Sequence, residues 1–146
     1  PPATIDRLRG HVREDATPSS SPAVVLAATD PAQPFGAALP WPDRSDLDTA
    51  PTHRPARKAG SMVVLHDGRV VAYVERGGKK VIGFDEHPDR VAAAATALVQ
   101  LVRSRRVGRL TIESIGGGPA QESAPWSDAL RAAGFERTPK GLRIDA

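Results

Sequence analysis

From Ser61 onward, apolar and polar positions alternate regularly enough to assign elements. SMVVLH (61–66) and RVVAYVE (69–75) are β-branched runs flanking Asp67-Gly68, a dipeptide suited to a two-residue hairpin turn because both central positions take positive φ. RGGK (76–79) supplies a second turn into KVIGF (80–84), so the pattern predicts a three-stranded antiparallel meander. His87-Pro88 then opens a helix, with proline at the first position, where its missing N–H costs nothing. Val91, Ala95, Leu98 and Val102 recur at helical spacing, and Ala94, Val99 and Leu101 widen that face. Arg103, Arg105 and Arg106 fall in the predicted last turn, with Gly108 as the stop. RLTIESI (109–115) reads as one strand and GGGPAQES as loop. APWSDALRAAGF holds a short helix ended by Gly134, and GLRID (141–145) is a final strand.

Upstream the signals are weaker. ATIDRLRGHVRE (3–14) predicts a short helix interrupted by Gly10, and TPSSSP (17–22) has linker composition. AVVLAA (23–28) reads as a short buried strand between Pro22 and a TDP turn. LAATDPAQPFGAALPWP (26–42) carries four prolines, Phe35 and Trp41 but neither a helical nor a strand period, and residues 42–59 read as a polar loop. The expected organisation is an extension over 1–22 followed by a single module over 23–146. The order β, loop, βββ, α, β, α, β gives an α+β fold with a curled, mainly antiparallel sheet, one long helix and one short one.

Composition narrows the class. A chain of 146 residues suits one domain with a modest core. No apolar run approaches the ~20 residues needed to span a bilayer, so no membrane partner is expected. Cysteine is absent, which removes disulfides, a thiolate nucleophile and Cys-ligated zinc, and suits a cytoplasmic protein. The chain begins Pro-Pro without Met, which leads us to expect part of something longer. The net charge of +3 is all in the second part: residues 1–59 carry seven basic and seven acidic side chains, residues 60–146 thirteen and ten. That surplus alone does not single out a nucleic-acid partner.

The search for chemistry leaves few candidates. No G-x-x-x-x-G-K-[ST] is present, so no nucleotide-phosphate cradle and no cofactor are expected in this chain. Gly116-Gly117-Gly118 runs into Pro119 and reads as a flexible loop. His11, His53, His66 and His87 lack ligand spacing, so no metal site is expected. Among carboxylates, Asp30 suits an Asx turn in TDP, Glu113 alternates along an apolar strand, and Asp145 stands next to the last residue. The basic residues form two groups: Arg76, Lys79 and Lys80 at a hairpin tip, and Arg103, Arg105 and Arg106, with Arg109, around a helix end. Edge protection and helix-dipole complementation explain them structurally. Contact with phosphates explains them functionally, since exposed Lys and Arg bind a backbone without reading sequence.

VVLAATDPAQPFGAALPWP, preceded by Asp6-Arg7-Leu8-Arg9, resembles a signature of the C-terminal region of Lhr-type (large helicase-related) bacterial DNA helicases. RKAGSMVVLHDGRVVAYVERGGKKVIGF and WSDALRAAGFERTPKGLRID are similar, in the same order, to later segments of that family. The resemblance implies a parent with an ATP-dependent 3′-to-5′ helicase core using ATP and Mg, followed by winged-helix modules and a terminal β-barrel-like module, which this chain would be. It implies DNA, single-stranded or damaged, as partner, contact with neighbouring winged-helix modules, and homo-oligomerisation. The region is also similar to barrel-containing DNA glycosylases, which makes Asp145, on the last predicted strand, a candidate catalytic carboxylate ahead of Glu113 and Asp30. A purely structural capping role is a third alternative. The proline-rich loop is expected to be structural: prolines lower the entropy cost of ordering it, and Phe35, Leu39 and Trp41 then anchor it on the sheet or on a winged-helix neighbour.

Overall fold

The β-branched runs form strands β1 (Val24–Ala27), β2 (Met62–His66), β3 (Arg69–Val74) and β4 (Lys80–Gly83), each paired antiparallel with the next. The computed structural model describes residues 21–42 and 54–146; the predicted helix over 3–14 and part of the 42–59 loop lie outside them. The β2–β3 turn is built as the dipeptide dictates, with Asp67 and Gly68 at φ 51° and 76°. Helix α1 (Pro88–Arg103) begins where its proline placed it, and the His87 ring accepts a hydrogen bond from the Asp89 N–H at 3.2 Å. Helix α2 (Trp126–Ala133) ends at Gly134, at φ 129°.

Two faces of the sheet are buried against different partners. Val64, Ala72, Val74 and Val81 join Val91, Ala95, Leu98 and Val102 of α1 in the main core. Val63, Tyr73 and Ile82 point the other way, into a second cluster with Ala28 and Val70 that Phe35, Trp41, Leu65 and Phe84 cover. Strand alternation produces this division, and the register shift between Val64 and Leu65 preserves it. The shift leaves Val71 as an extra residue on β3, so Val70 and Tyr73 share a face although three positions apart.

The second half departs from expectation. RLTIESI is not one strand. It breaks at Glu113 into β5 (Arg109–Ile112) and β6 (Ser114–Ile115), which belong to different sheets. The break is fixed by backbone hydrogen bonds: the Glu113 N–H donates to Lys79 O (2.8 Å) and its carbonyl accepts from Ala120 N (3.0 Å). β6 pairs parallel with β4, and the expected glycine loop instead turns tightly at Gly116 and Gly117 into β7 (Gly118–Pro119) and a 3-10 turn over Ala120–Glu122. Strand β8 (Glu136–Thr138), not predicted, pairs with β9 (Gly141–Asp145), and β9 pairs with β5. The result is an open six-stranded sheet ordered β1-β2-β3-β4-β6-β7 and a separate three-stranded sheet ordered β5-β9-β8. The α+β class and the mostly antiparallel pairing stand. The barrel-like closure is not seen: the described residues form two sheets and no closed barrel.

The helix end also differs. α1 stops at Ser104, not at Gly108; the Ser104 N–H donates to Gln100 O and its hydroxyl to Leu101 O. Arg105 then takes φ 62°, so only Arg103 lies in the last turn.

Candidate functional site

The proline-rich loop is a pinned structure. Asp30 closes the expected Asx turn, its Oδ1 accepting from Ala32 N at 2.8 Å. Gln33, 1% exposed, was not singled out by the sequence, yet its side-chain amide donates to Ala28 O and Phe35 O (both 3.0 Å) while its oxygen accepts from Phe35 N. Arg57 clasps the same turn from outside, donating to Gln33 O, Phe35 O and Asp30 O. Trp41 docks edge-on against Tyr73 (ring centroids 5.7 Å, 77°) and stacks on Phe35 (6.3 Å). Gly36 makes room for it, since a Cβ there would sit 2.8 Å from the indole nitrogen. Leu39 is not an anchor; it is 46% exposed. Phe35 and Trp41 are half-buried and hold the loop on the sheet.

The hairpin-tip group lies against the strand that begins at Arg109. The β3–β4 tip packs on β5: a Cβ on Gly78 would collide with Leu110, and Lys79 O accepts from both Glu113 N and Ser114 N. Arg76, Lys79 and Lys80 are exposed around that tip, one residue along β5 from Arg109. The helix-end group divides. Arg103 reaches over Gly134 toward Ile144, its Nη2 3.8 Å from where a glycine Cβ would stand, while Arg106 lines a groove on the far side of α1. That groove, about 680 Å³, runs between the outer face of α1 (Ala93, Ala97, Gln100) and β1, the edge strand of its sheet among the described residues, whose Val24 is 50% exposed. Arg105 is exposed in the turn after the helix.

Asp145 lies in the β9–β5 register opposite Arg109. Its Oδ1 accepts from Arg109 Nε at 2.5 Å and its Oδ2 from Arg143 Nε at 3.0 Å. The Arg109 hydrogen bond is the main cause holding its carboxyl below the ordinary 3.8; desolvation opposes it, and both guanidinium charges and the Arg143 hydrogen bond add to the lowering. At neutral pH this group is an anion and a hydrogen-bond acceptor, not a proton donor. Glu113 and Asp30 are engaged in the backbone geometry described above, away from Asp145 in the fold. Among the described residues no group of three or more His, Asp or Glu side chains is placed to hold a metal ion, and no helix is long and apolar enough to cross a membrane.

The architecture is that of an α+β module in which a two-sided sheet is sealed by a helix and an irregular loop, with basic side chains at one hairpin tip and one sheet face. No family model matches the chain. Two relatives do. Over 97% of its length it is 46% identical to a Mycolicibacterium smegmatis protein named Lhr helicase/probable uracil glycosylase, and over 95% it is 34% identical to the Escherichia coli Lhr helicase/uracil glycosylase. The chain spans only about a tenth of either relative, 10% and 9%. It is therefore homologous to a module of Lhr-type helicases, consistent with the C-terminal module that its sequence resembles.

Proposed function

We propose that this chain is a DNA-engaging and assembly module of an Lhr-type repair helicase. The single observation that carries the reading is near-complete alignment with two proteins named as Lhr helicases. What the geometry adds is a means: exposed Arg76, Lys79 and Lys80 at a tip that abuts β5, and exposed Arg103 and Arg105 at the end of α1, suit contact with backbone phosphates. ATP hydrolysis with Mg, and 3′-to-5′ translocation, belong in this proposal to parts of the longer protein outside the chain. Contact with winged-helix neighbours or a second copy suits the α1–β1 groove and the sheet edge that β1 forms among the described residues. The test is a titration of a single-stranded oligonucleotide at falling salt. Affinity should drop steeply as salt rises, and neutralising both basic groups should flatten that dependence by roughly one unit per lost contact. Unchanged affinity after neutralisation would reduce these residues to surface and capping roles.

The relatives' printed names favour a second reading, that the module contributes to release of uracil from DNA. Asp145 is then the carboxylate that stabilises the sugar cation developing as the base departs, a role that needs the ionised form its arginines maintain. In the full C-terminal region, Asp145→Asn should slow base release by about 10²-fold or more on this reading. Equal activity would remove Asp145 from the chemistry.

A further inference from the structure

The outer face of the three-stranded sheet places its polar side chains by register. Leu110, Ile112, Leu142 and Ile144 are buried, so the residues between them, Arg109, Thr111, Arg143 and Asp145, project from the opposite face. Arg109 stands opposite Asp145, and Arg143 is two residues before it on the same strand. One carboxylate therefore reaches two guanidinium groups, one through each oxygen, and in both cases it takes the Nε–H. A guanidinium bound through Nε presents that side edge to the carboxylate and leaves the end edge between its two terminal nitrogens outward. Neither arginine has a further hydrogen-bond partner among the described residues. Arg109 is 63% and Arg143 43% exposed, so the free edges open to solvent.

The electrostatic setting matters as much as the geometry. Glu136 stands opposite Arg143 on β8, so two arginines and two carboxylates leave this face close to neutral. A broad positive field is therefore not what it offers. It offers two planar donor edges fixed side by side, the arrangement in which Arg binds phosphate oxygens in pairs where Lys gives only a point charge. Restraining a guanidinium in advance also removes part of the side-chain entropy that binding would otherwise cost.

We propose that Arg109 and Arg143 form a clamp for nucleic-acid backbone phosphates, and that Asp145 is the positioning residue that holds them. The inference rests on the DNA-engaging reading above and adds to it a site outside the hairpin-tip and helix-end groups. Its distinctive consequence is a sign. Asp145→Asn removes a negative charge, so if charge alone governed binding the variant would hold a polyanion more tightly. The clamp requires the reverse, because an uncharged amide no longer orders both guanidinium groups.

The experiment is fluorescence anisotropy of a dye-labelled single-stranded oligonucleotide without damage, across a salt series, with circular dichroism to verify the fold of each variant. Asp145→Asn should weaken binding by about 3- to 10-fold, in line with loss of oriented charge-assisted bonds. Arg109→Lys with Arg143→Lys, which keeps the charge but not the fork, should weaken it similarly. Arg109→Gln with Arg143→Gln should lower the salt slope by about two units, and in that background Asp145→Asn should weaken nothing further. Tighter or unchanged binding by Asp145→Asn overturns the clamp, as does slowed base release at unchanged affinity, which would make the carboxylate catalytic instead. If the wild type binds, neutralising Arg76, Lys79 and Lys80 weakens it, and the Arg109 and Arg143 variants do not, the clamp fails while the DNA reading stands. Absence of salt-dependent binding by the wild type removes both.

Discussion

Replacing Gln33 with alanine should loosen the proline-rich loop from the sheet. The side chain is 1% exposed and makes three hydrogen bonds: to Ala28 O, to Phe35 O and from Phe35 N. Truncation does not affect the three partners equally. Phe35 O keeps its bond from Arg57, so its loss is partial. Phe35 N and Ala28 O lose a partner inside a water-poor turn, and each buried group left unpaired costs about 1–3 kcal/mol. Against this, alanine recovers up to about 2 kcal/mol of side-chain entropy that Gln gives up on burial. The net expectation is a loss of about 2–4 kcal/mol. At roughly 4 °C per kcal/mol for a chain of this size, Tm should fall by about 8–16 °C. Thermal unfolding followed by far-ultraviolet circular dichroism measures it, and near-ultraviolet signal from Trp41 and Tyr73 reports whether the loop lifts first. A fall below about 2 °C would mean that prolines and Arg57 alone hold the loop, and that the buried amide is incidental.

Other perturbations probe separate parts of the account. Trp41→Ala should cost about 2–3 kcal/mol by chemical denaturation, less than for a fully buried aromatic because the ring is only half-covered; an unchanged midpoint would contradict docking on Tyr73. Gly141→Ala should cost about 3 kcal/mol, since its Cβ would collide with the Ile112 carbonyl and stand 2.9 Å from Glu113 Cα, forcing β9 away from β5; wild-type stability would refute that register. The Asp145 carboxyl should titrate below 3.8 by NMR, and Arg109→Gln should raise it more than Arg143→Gln, because the Arg109 hydrogen bond is the larger cause. Its folded pKa is depressed, so any stability from the pair is present above 3.8 and lost as pH falls through the lower folded value. A stability difference between wild type and Arg109→Gln that persists unchanged below that range would contradict the pairing.

What was legible in the sequence follows from how local each signal is. Asp67-Gly68 fixed a hairpin because the turn's φ values belong to two adjacent residues, and Pro88 marked a helix start for the same reason. The break at Glu113 leaves only a faint mark: Leu110 and Ile112 alternate, but Ser114 stands where the next apolar residue belongs and Ile115 falls out of phase, which does not say that the two halves join different sheets. The decision is made by Lys79 and Ala120, distant in sequence. β8 was missed since ERT buries little and is held by backbone pairing to β9. The end of α1 was misplaced because Arg105, not a glycine, adopts the left-handed conformation. At the site, the two basic groups could be seen, but not the packing of the hairpin tip against β5. Asp145 could be named and Arg143 stands two residues before it on the same predicted strand, whereas Arg109 could not be paired with it, because that contact exists only through the β5–β9 register. Gln33 had one available signal: it is the one polar side chain between the TDP turn and Trp41, set between Pro31 and Pro34.

Hydrogen exchange, measured with and without single-stranded DNA at low salt, tests the central claim most directly, since it maps the bound surface without presuming which residues contact DNA. Engagement by the basic tip and the sheet beside it predicts added protection across residues 75–80, 103–111 and 141–146, with the rest of the α1–β1 groove (residues 21–25 and 93–101) unchanged and the protection abolished by high salt. Protection confined to the groove, or none at concentrations that saturate binding, would contradict the account.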